Sequence, residues 1–283
     1  MKIKQTVQER MAFIESRLFW EKQIGRKEIM DAFYVSKPQA TLEFKKYREL
    51  APNNVEFNVS LKCYVPTKIF KPKFYKPEAL SYLSNLSQYE EGGEMFNSAF
   101  GKPPNHETVM ILKNRIDVEI LRDITWAMNR GNKILVKYQG MERLDAEDRW
   151  IAPKNLFFDG IRWDVRAFCY LRNEYRTFTL SRILKVLNST SITETIPEDS
   201  EWAEEIDVII IPNPNRNEAQ QAIIANEHEM VQKEKPIKIR KSFLPYFLLA
   251  NRLYPLDDGG NITIKNKTEI MAAIKGKPID KFR

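Results

Sequence analysis

The chain has 283 residues, of which 43% are hydrophobic and 29% charged, so it can bury real cores in two or three domains and global disorder is excluded. Its longest run without a charged residue, Ala79 to Tyr89, is too short and too polar to span a bilayer. The start, Met1-Lys2-Ile3-Lys4-Gln5, lacks the apolar run of a signal peptide, and the expected location is the cytoplasm.

The net charge of +7 is unevenly placed. Residues 1–76 hold 16 basic and 8 acidic residues, a net of +8, and residues 77–283 hold 29 and 30, a net of −1. A compact basic module on a neutral body points to a polyanion partner at one end. The two cysteines, Cys63 and Cys169, and the two histidines, His106 and His228, are too far apart for a zinc motif. Walker A and G-x-G-x-x-G loops are absent from the sequence. No metal, no cofactor and no catalytic residue is therefore expected.

Val7, Met11, Ile14 and Leu18 share one helical face, which predicts a helix over 7–20. Gly25 breaks the pattern, and Arg26 to Phe33 forms a second, short helix. Ser36 is a good N-cap, and Pro38 is tolerated in the first turn that follows. Ala40, Phe44 and Tyr47 then mark a third helix over 39–50, ended by Pro52. This order is the helix-turn-helix arrangement. Gln39, Leu42, Lys45 and Lys46 lie opposite the apolar face of the third helix. Gln pairs with adenine, an apolar side chain touches the thymine methyl, and lysines suit phosphates. Thr41, Ser36 and Lys37 stand at the helix start, within reach of DNA. Residues 55–65 alternate apolar and polar, as one strand or a tight hairpin, which adds the wing. Cys63 falls on its apolar side and is expected in the core, and Lys62 is a wing contact to phosphate.

Glu78 to Tyr89 reads as a helix and Glu90 to Glu107 as loop. Asp117 to Arg130 reads as a helix terminated by Gly131-Asn132. Strands follow at 134–138, at 150–153 with 155–158, at 161–170 and at 175–183, with a hairpin turn at Asp159-Gly160. Short strands and tight turns over about sixty residues suggest a small barrel. Arg166 and Arg182 sit among aromatics. Each needs an acidic partner such as Asp164 or Asp148, or an anionic ligand. Asp145, Glu147 and Asp148 form the best carboxylate cluster for a metal-dependent nuclease, but they occupy an expected solvated turn. Beyond the barrel, strands at 207–211, 236–240 and 262–264 alternate with helices at 217–231 and 243–253, and a basic tail ends the chain. This is a small α/β module suited to assembly.

Trp150-Ile151-Ala152-Pro153, Phe158 through Cys169, and Phe178-Thr179-Leu180-Ser181-Arg182-Ile183 resemble a WYL domain. Gly25-Arg26-Lys27 and Val35 through Thr41 resemble the winged helix-turn-helix of the WYL-domain repressors that accompany bacterial anti-phage systems of the BREX and CBASS types. Ile211-Pro212-Asn213-Pro214 and Gln220-Gln221 resemble their C-terminal dimerisation module. The resemblance implies a homodimeric repressor on an inverted-repeat operator near its own defence operon, relieved by a ligand at an Sm-like or SH3-like barrel. It maps the sensing face onto Tyr138, Trp163, Asp164, Arg166, Ser181 and Arg182. In one departure, Asp164 and Val165 replace the tyrosine and leucine that name the motif.

The expected fold is α+β and multidomain. A winged helix-turn-helix spans 1–75, a helical linker 76–131, a WYL barrel 132–193 and a C-terminal dimerisation module 200–283. The expected partners are double-stranded DNA, a second copy of the chain and an anionic nucleotide or nucleic-acid effector, with no membrane. An activator of the same architecture is one alternative, and a nucleic-acid-processing enzyme is another.

Overall fold

A computed structural model describes residues 5–88, 97–109, 112, 114–254, 256 and 259–275. The chain divides into two units, residues 1–110 and residues 111–283.

The first unit begins with three helices, α1 (Gln5–Glu21), α2 (Arg26–Phe33) and α3 (Lys37–Leu50). Met11, Ile14 and Leu18 of α1 and Ile29 of α2 are buried against Ala40, Phe44 and Tyr47 of α3. The apolar spacings read in the sequence therefore converge on one core. Ser36 caps α3, its hydroxyl accepting from the Gln39 amide at 3.4 Å. Two short strands follow, β1 (Val55–Asn58) and β2 (Cys63–Pro66), paired antiparallel from Val55↔Pro66 to Asn58↔Cys63. Ile24 bridges to Tyr64 on the other edge, and the Tyr64 ring stacks on Phe44 at 4.0 Å.

The expected single apolar face over 55–65 is not formed. Asn58 Oδ1 accepts from the Leu61 amide at 3.0 Å and Lys62 adopts φ 55°, so a turn interrupts the alternation. Val59 and Leu61 are exposed at its tip. Cys63 is only half-buried, at the edge of the hairpin and not in the core.

Glu15 is a second organiser of this unit. It is fully buried and accepts from the Tyr47 hydroxyl at 3.0 Å and from three consecutive backbone amides, Lys73 at 2.7 Å, Phe74 at 2.5 Å and Tyr75 at 2.9 Å. One side chain thus ties α1 to α3 and to the proline-rich segment after the hairpin. Helix α4 (Ala79–Gln88) and a 3-10 turn at Ser98–Phe100 complete the unit. Leu86 and Phe100 pack with Trp20, Tyr75 and Tyr82 in a small aromatic cluster. Tyr89 of the expected helix and residues 90–96 of the expected loop, with its Gly92-Gly93 pair, lie outside the described residues.

The second unit opens with α5 (Val118–Arg130), capped by Asp117. Gly131, at φ 65°, supplies the left-handed residue that ends it. Five antiparallel strands follow: β3 (Asn132–Tyr138), β4 (Glu147–Phe158), β5 (Trp163–Cys169), β6 (Glu174–Thr179) and β7 (Ile183–Ser191), in the order β6-β5-β4-β3-β7. A 3-10 turn at Leu180–Arg182 carries the chain from one end of that order to the other. Helix α5 lays Ile120, Ile124 and Ala127 on a core of Ile134, Val136, Ile151, Val165, Ala167 and Phe178.

The sequence reading is corrected at three places here. The two segments flanking Lys154 are one twelve-residue strand, with a register shift between Pro153 and Asn155. The 3-10 turn cuts the expected strand 175–183 short. Strand β7 pairs with β3 and was not foreseen. Strand β5 is buried on both faces from Asp164 to Cys169. Val165, Ala167 and Cys169 enter the core, while Asp164, Arg166 and Phe168 occupy the opposite face.

The C-terminal part contains α6 (Ser200–Ala203), β8 (Glu205–Pro212), α7 (Glu218–Glu227), β9 (Lys235–Arg240), α8 (Leu244–Ala250), β10 (Ile262–Ile264) and α9 (Lys267–Ile274). Its three strands run antiparallel in the order β10-β8-β9. Val208, Ile210, Leu244, Leu248 and Ile270 form its core. Helix α7 stops at Glu227 and does not reach Val231, because Glu229 takes positive φ. The segment expected as a basic tail begins with α9, which buries Ile270 and Ile274.

Candidate functional site

The α3 face away from the core is displayed. Ser36, Lys37, Thr41, Leu42, Lys45 and Lys46 are all exposed, and Lys62 is exposed on the hairpin turn. Leu42 is 54% exposed, an apolar side chain open to solvent one turn before Lys45 and Lys46. Thr41 donates its hydroxyl to the Lys37 carbonyl at 3.0 Å. Gln39 is half-buried, and its amide nitrogen donates to Glu43 Oε1 at 2.7 Å. Glu43 is 2% exposed, and the same oxygen lies 2.9 Å from Arg10 Nε on α1. Sequence reasoning missed Glu43 because an acid on a basic helix reads as solvated. Its (i, i+4) spacing from Gln39 was the available signal.

The six residues mapped as a sensing face do not form one site. Tyr138 and Arg182 stand together at one end of the five-stranded sheet, on its core-facing side. There they line a cavity of about 450 Å³ with Arg143, Arg149, Arg172, Arg176, Phe178 and Glu142. Ser181 precedes Arg182 in the 3-10 turn and is half-buried. Trp163 is 46% exposed at the β4–β5 hairpin, 5.2 Å from the Phe158 ring. Asp164 and Arg166 are buried on the outer face of β5.

The cavity collects its cations from separated positions. Arg149 follows the core alternation of β4, opposite Val136, and its side chain is 10% exposed. One guanidinium nitrogen donates to Glu147 Oε2 at 2.7 Å, and Nε has no hydrogen-bond partner among the described residues. Glu147 Oε1 lies 3.0 Å from Arg143. The Arg149 hydrogen bond, helped by the charges of Arg143 and Arg172, holds the Glu147 carboxyl below its ordinary value. Counting the five arginines against Glu142, Glu147 and Glu174 (the partner of Arg176) gives 5 − 3, a surplus of two positive charges. Glu147 and Asp148 lie on β4, and not in the solvated turn expected of them. Among the described residues no group of three or more His, Cys, Asp or Glu comes together to hold a metal.

The partner of Arg166 is neither Asp164 nor Asp148. Arg166 makes a bidentate pair with Asp199, Nε to Oδ2 at 2.7 Å and a terminal nitrogen to Oδ1 at 2.8 Å, with Glu201 at 3.5 Å. Burial alone would lower its basicity. The hydrogen bond and charge of Asp199 outweigh burial and raise it. Asp199 also caps α6, accepting from the Trp202 amide at 3.3 Å. Burial raises the Asp164 carboxyl above its ordinary value, against the opposing charge of Arg162, 3.4 Å away. Phe157 of β4 meets Phe243 at 4.8 Å and Tyr246 at 5.1 Å. The outer face of β4 and β5 thus meets the C-terminal part. No helix among the described residues is long and apolar enough to cross a membrane.

Comparison with known proteins agrees with this geometry. The winged helix-turn-helix domain of the BrxR transcriptional regulator matches residues 6–88, the WYL domain residues 119–187, and the BrxR C-terminal dimerization domain residues 205–270. The DNA-binding transcriptional repressor CapW of Escherichia coli (strain KTE188) is 33% identical over 272 residues, covering 94% of this chain and 91% of its own. CapW of Pseudomonas aeruginosa is 31% identical over 245 residues, covering 86% and 82%. CapW of Stenotrophomonas maltophilia is 29% identical over 242 residues, covering 84% and 81%. A solved structure, the proteasome accessory factor B/C of Arthrobacter aurescens, aligns with 98% of this chain at 15% identity and a TM-score of 0.26, and the chain spans about half of that protein's length. The near-full-length identity to CapW and the three matched domains in the same order show that the chain belongs to the CapW family of winged-helix, WYL-domain transcriptional repressors.

Proposed function

We propose that this protein is a homodimeric, sequence-specific repressor that binds an inverted-repeat operator and controls its own anti-phage defence operon. Repression is relieved when an anionic effector, a nucleotide or a nucleic-acid end, enters the arginine-lined cavity of the WYL domain. The alignment with CapW over 94% of the chain carries the repressor reading, and the exposed lysines of α3 support DNA as the partner. Gln39, Thr41 and Leu42 read base edges, while Ser36, Lys37, Lys45, Lys46 and Lys62 hold phosphates.

The test is a footprint on the DNA upstream of the gene, across a salt series. Two symmetric half-sites one or more helical turns apart, surviving excess nonspecific duplex, are expected of a two-fold dimer. Uniform, salt-labile binding without a footprint would sink the operator reading. Transcription from the same promoter, higher without the protein than with it, separates repression from activation. Replacing Lys45 with alanine should weaken binding to every sequence and reduce the salt slope by about one. An unchanged slope would remove Lys45 from the interface.

The effector reading rests on the surplus of two positive charges around a cavity of about 450 Å³, a volume within the usual range for small-ligand sites. Calorimetric titration with pyrophosphate should detect binding in the intact protein. Arg149→Met, which keeps an apolar stem and removes the guanidinium, should weaken it about tenfold or more, a loss of about 1.4 kcal/mol or more. Equal binding by both proteins would move the effector elsewhere.

A further inference from the structure

We infer that Glu43, a buried acid on the recognition helix, is a positioning residue that fixes the side chain of Gln39 for reading one base pair. This rests on the proposed reading of DNA by α3 and adds the device that gives Gln39 its discrimination.

An exposed glutamine is a poor reader by itself. It rotates about three side-chain bonds, and its amide presents donor and acceptor in either order. Ordering it on the DNA would cost side-chain entropy. Here most of that ordering is done beforehand. Gln39 Nε2 donates to Glu43 Oε1 at 2.7 Å. Glu43 can serve only as an acceptor when ionised, so the amide nitrogen must face it and the amide oxygen must face away. The orientation of the amide is thereby decided before DNA arrives.

Glu43 is itself held. It is 2% exposed, Arg10 Nε of α1 lies 2.9 Å from the same oxygen, and Ala40, Phe44 and Tyr47 pack the same side of α3 into the core. The anchor therefore belongs to the rigid body of the unit, and it reaches the half-buried Gln39 at the border of the exposed face. With one N–H spent on Glu43, the amide keeps its oxygen and one N–H. Those are the two groups that pair with N6 and N7 of adenine in the major groove.

The experiment uses the intact protein and its footprinted operator. Relative affinity is measured for the cognate site and for variants changed at each base pair of one half-site. Gln39→Ala should lose discrimination at one position, about tenfold. Glu43→Met keeps the bulk and removes the acceptor, and it should lose discrimination at that same position by a similar factor. Glu43→Gln retains an acceptor oxygen and should restore most of it. In the Gln39→Ala background, Glu43→Met should cause no further loss at that position, since the two act as one unit. A structural role alone would weaken every sequence equally, and by the same factor with or without Gln39. That pattern would overturn the inference. So would full discrimination in Glu43→Met with Gln39→Ala still defective. If Gln39→Ala leaves every base preference unchanged, the assignment of Gln39 as a reader fails first, and the two failures are distinguishable. Thermal melting of each variant separates unfolding from loss of specificity. If Glu43→Met does not fold, the Gln39 side-chain amide is followed by NMR in the intact protein without DNA. One fixed rotamer is expected, and rotamer averaging overturns the inference.

Discussion

Glu15→Ala is expected to unfold the first unit well below the melting temperature of the parent chain. The change strands four donors at once, the Tyr47 hydroxyl and the amides of Lys73, Phe74 and Tyr75. A buried donor left without a partner costs about 1–3 kcal/mol. Water entering the space left by the side chain recovers part of this, and a net loss of about 4 kcal/mol is expected, among the largest that single changes produce. For a unit of this size that lowers the midpoint by roughly 15–30 °C. Glu15→Gln retains one acceptor oxygen and should cost about half as much. Differential scanning calorimetry checks both. A midpoint within about 3 °C of the parent for Glu15→Ala would show that the segment at 73–75 is held by other contacts. DNA binding should be lost in parallel, because the same acid braces Tyr47 on the underside of α3.

The second large effect is expected at Arg166, whose side chain is 8% exposed and whose bidentate partner is Asp199. Removing Asp199 leaves the buried guanidinium with only Glu201, at 3.5 Å, and breaking such a buried pair costs about 3–5 kcal/mol. Asp199→Ala also removes the cap of α6, worth about 1 kcal/mol more. The urea midpoint of the second unit should fall, and limited proteolysis should open the chain near residues 192–204. Asp199→Asn keeps the cap and should be milder. Replacing both partners, Arg166→Met with Asp199→Leu, should recover most of the stability, since two apolar groups of similar bulk need no compensation. If the double variant is as unstable as Asp199→Ala, the loss comes from the α6 cap and not from the stranded guanidinium.

The features that were legible in the sequence are local. Four apolar residues of α1, the Ser36 cap with Pro38, the Gly131 terminator and the Asp159-Gly160 turn each act within a few residues, and each was placed from spacing or turn chemistry. The illegible features are contacts between distant residues. Glu15 meets amides 58 to 60 residues away, and Arg166 meets an acid 33 residues on. Nothing in either neighbourhood marks the pairing. The arginine cavity shows the same limit. Arg182 stands out in the sequence, but Arg143, Arg149, Arg172 and Arg176 come from a loop, two strands and a turn that only the sheet brings together. The resemblance placed Asp164 and Arg166 beside Arg182, but the pleat of β5 turns them to the other side of the sheet.

Strand β5, enclosed on both sides from Asp164 to Cys169, ties its two neighbours into one energetic account. Close-packed interiors do not deform by degrees. A displacement of this strand toward the core must also move Arg166 against Asp199. Reciprocity then applies: whatever factor an occupant of the sheet's core side exerts on the packing of the C-terminal part, that packing exerts on the occupant's affinity. If self-association changes that packing, the affinity of the proposed effector will vary with protein concentration, even though the two sites share no atom.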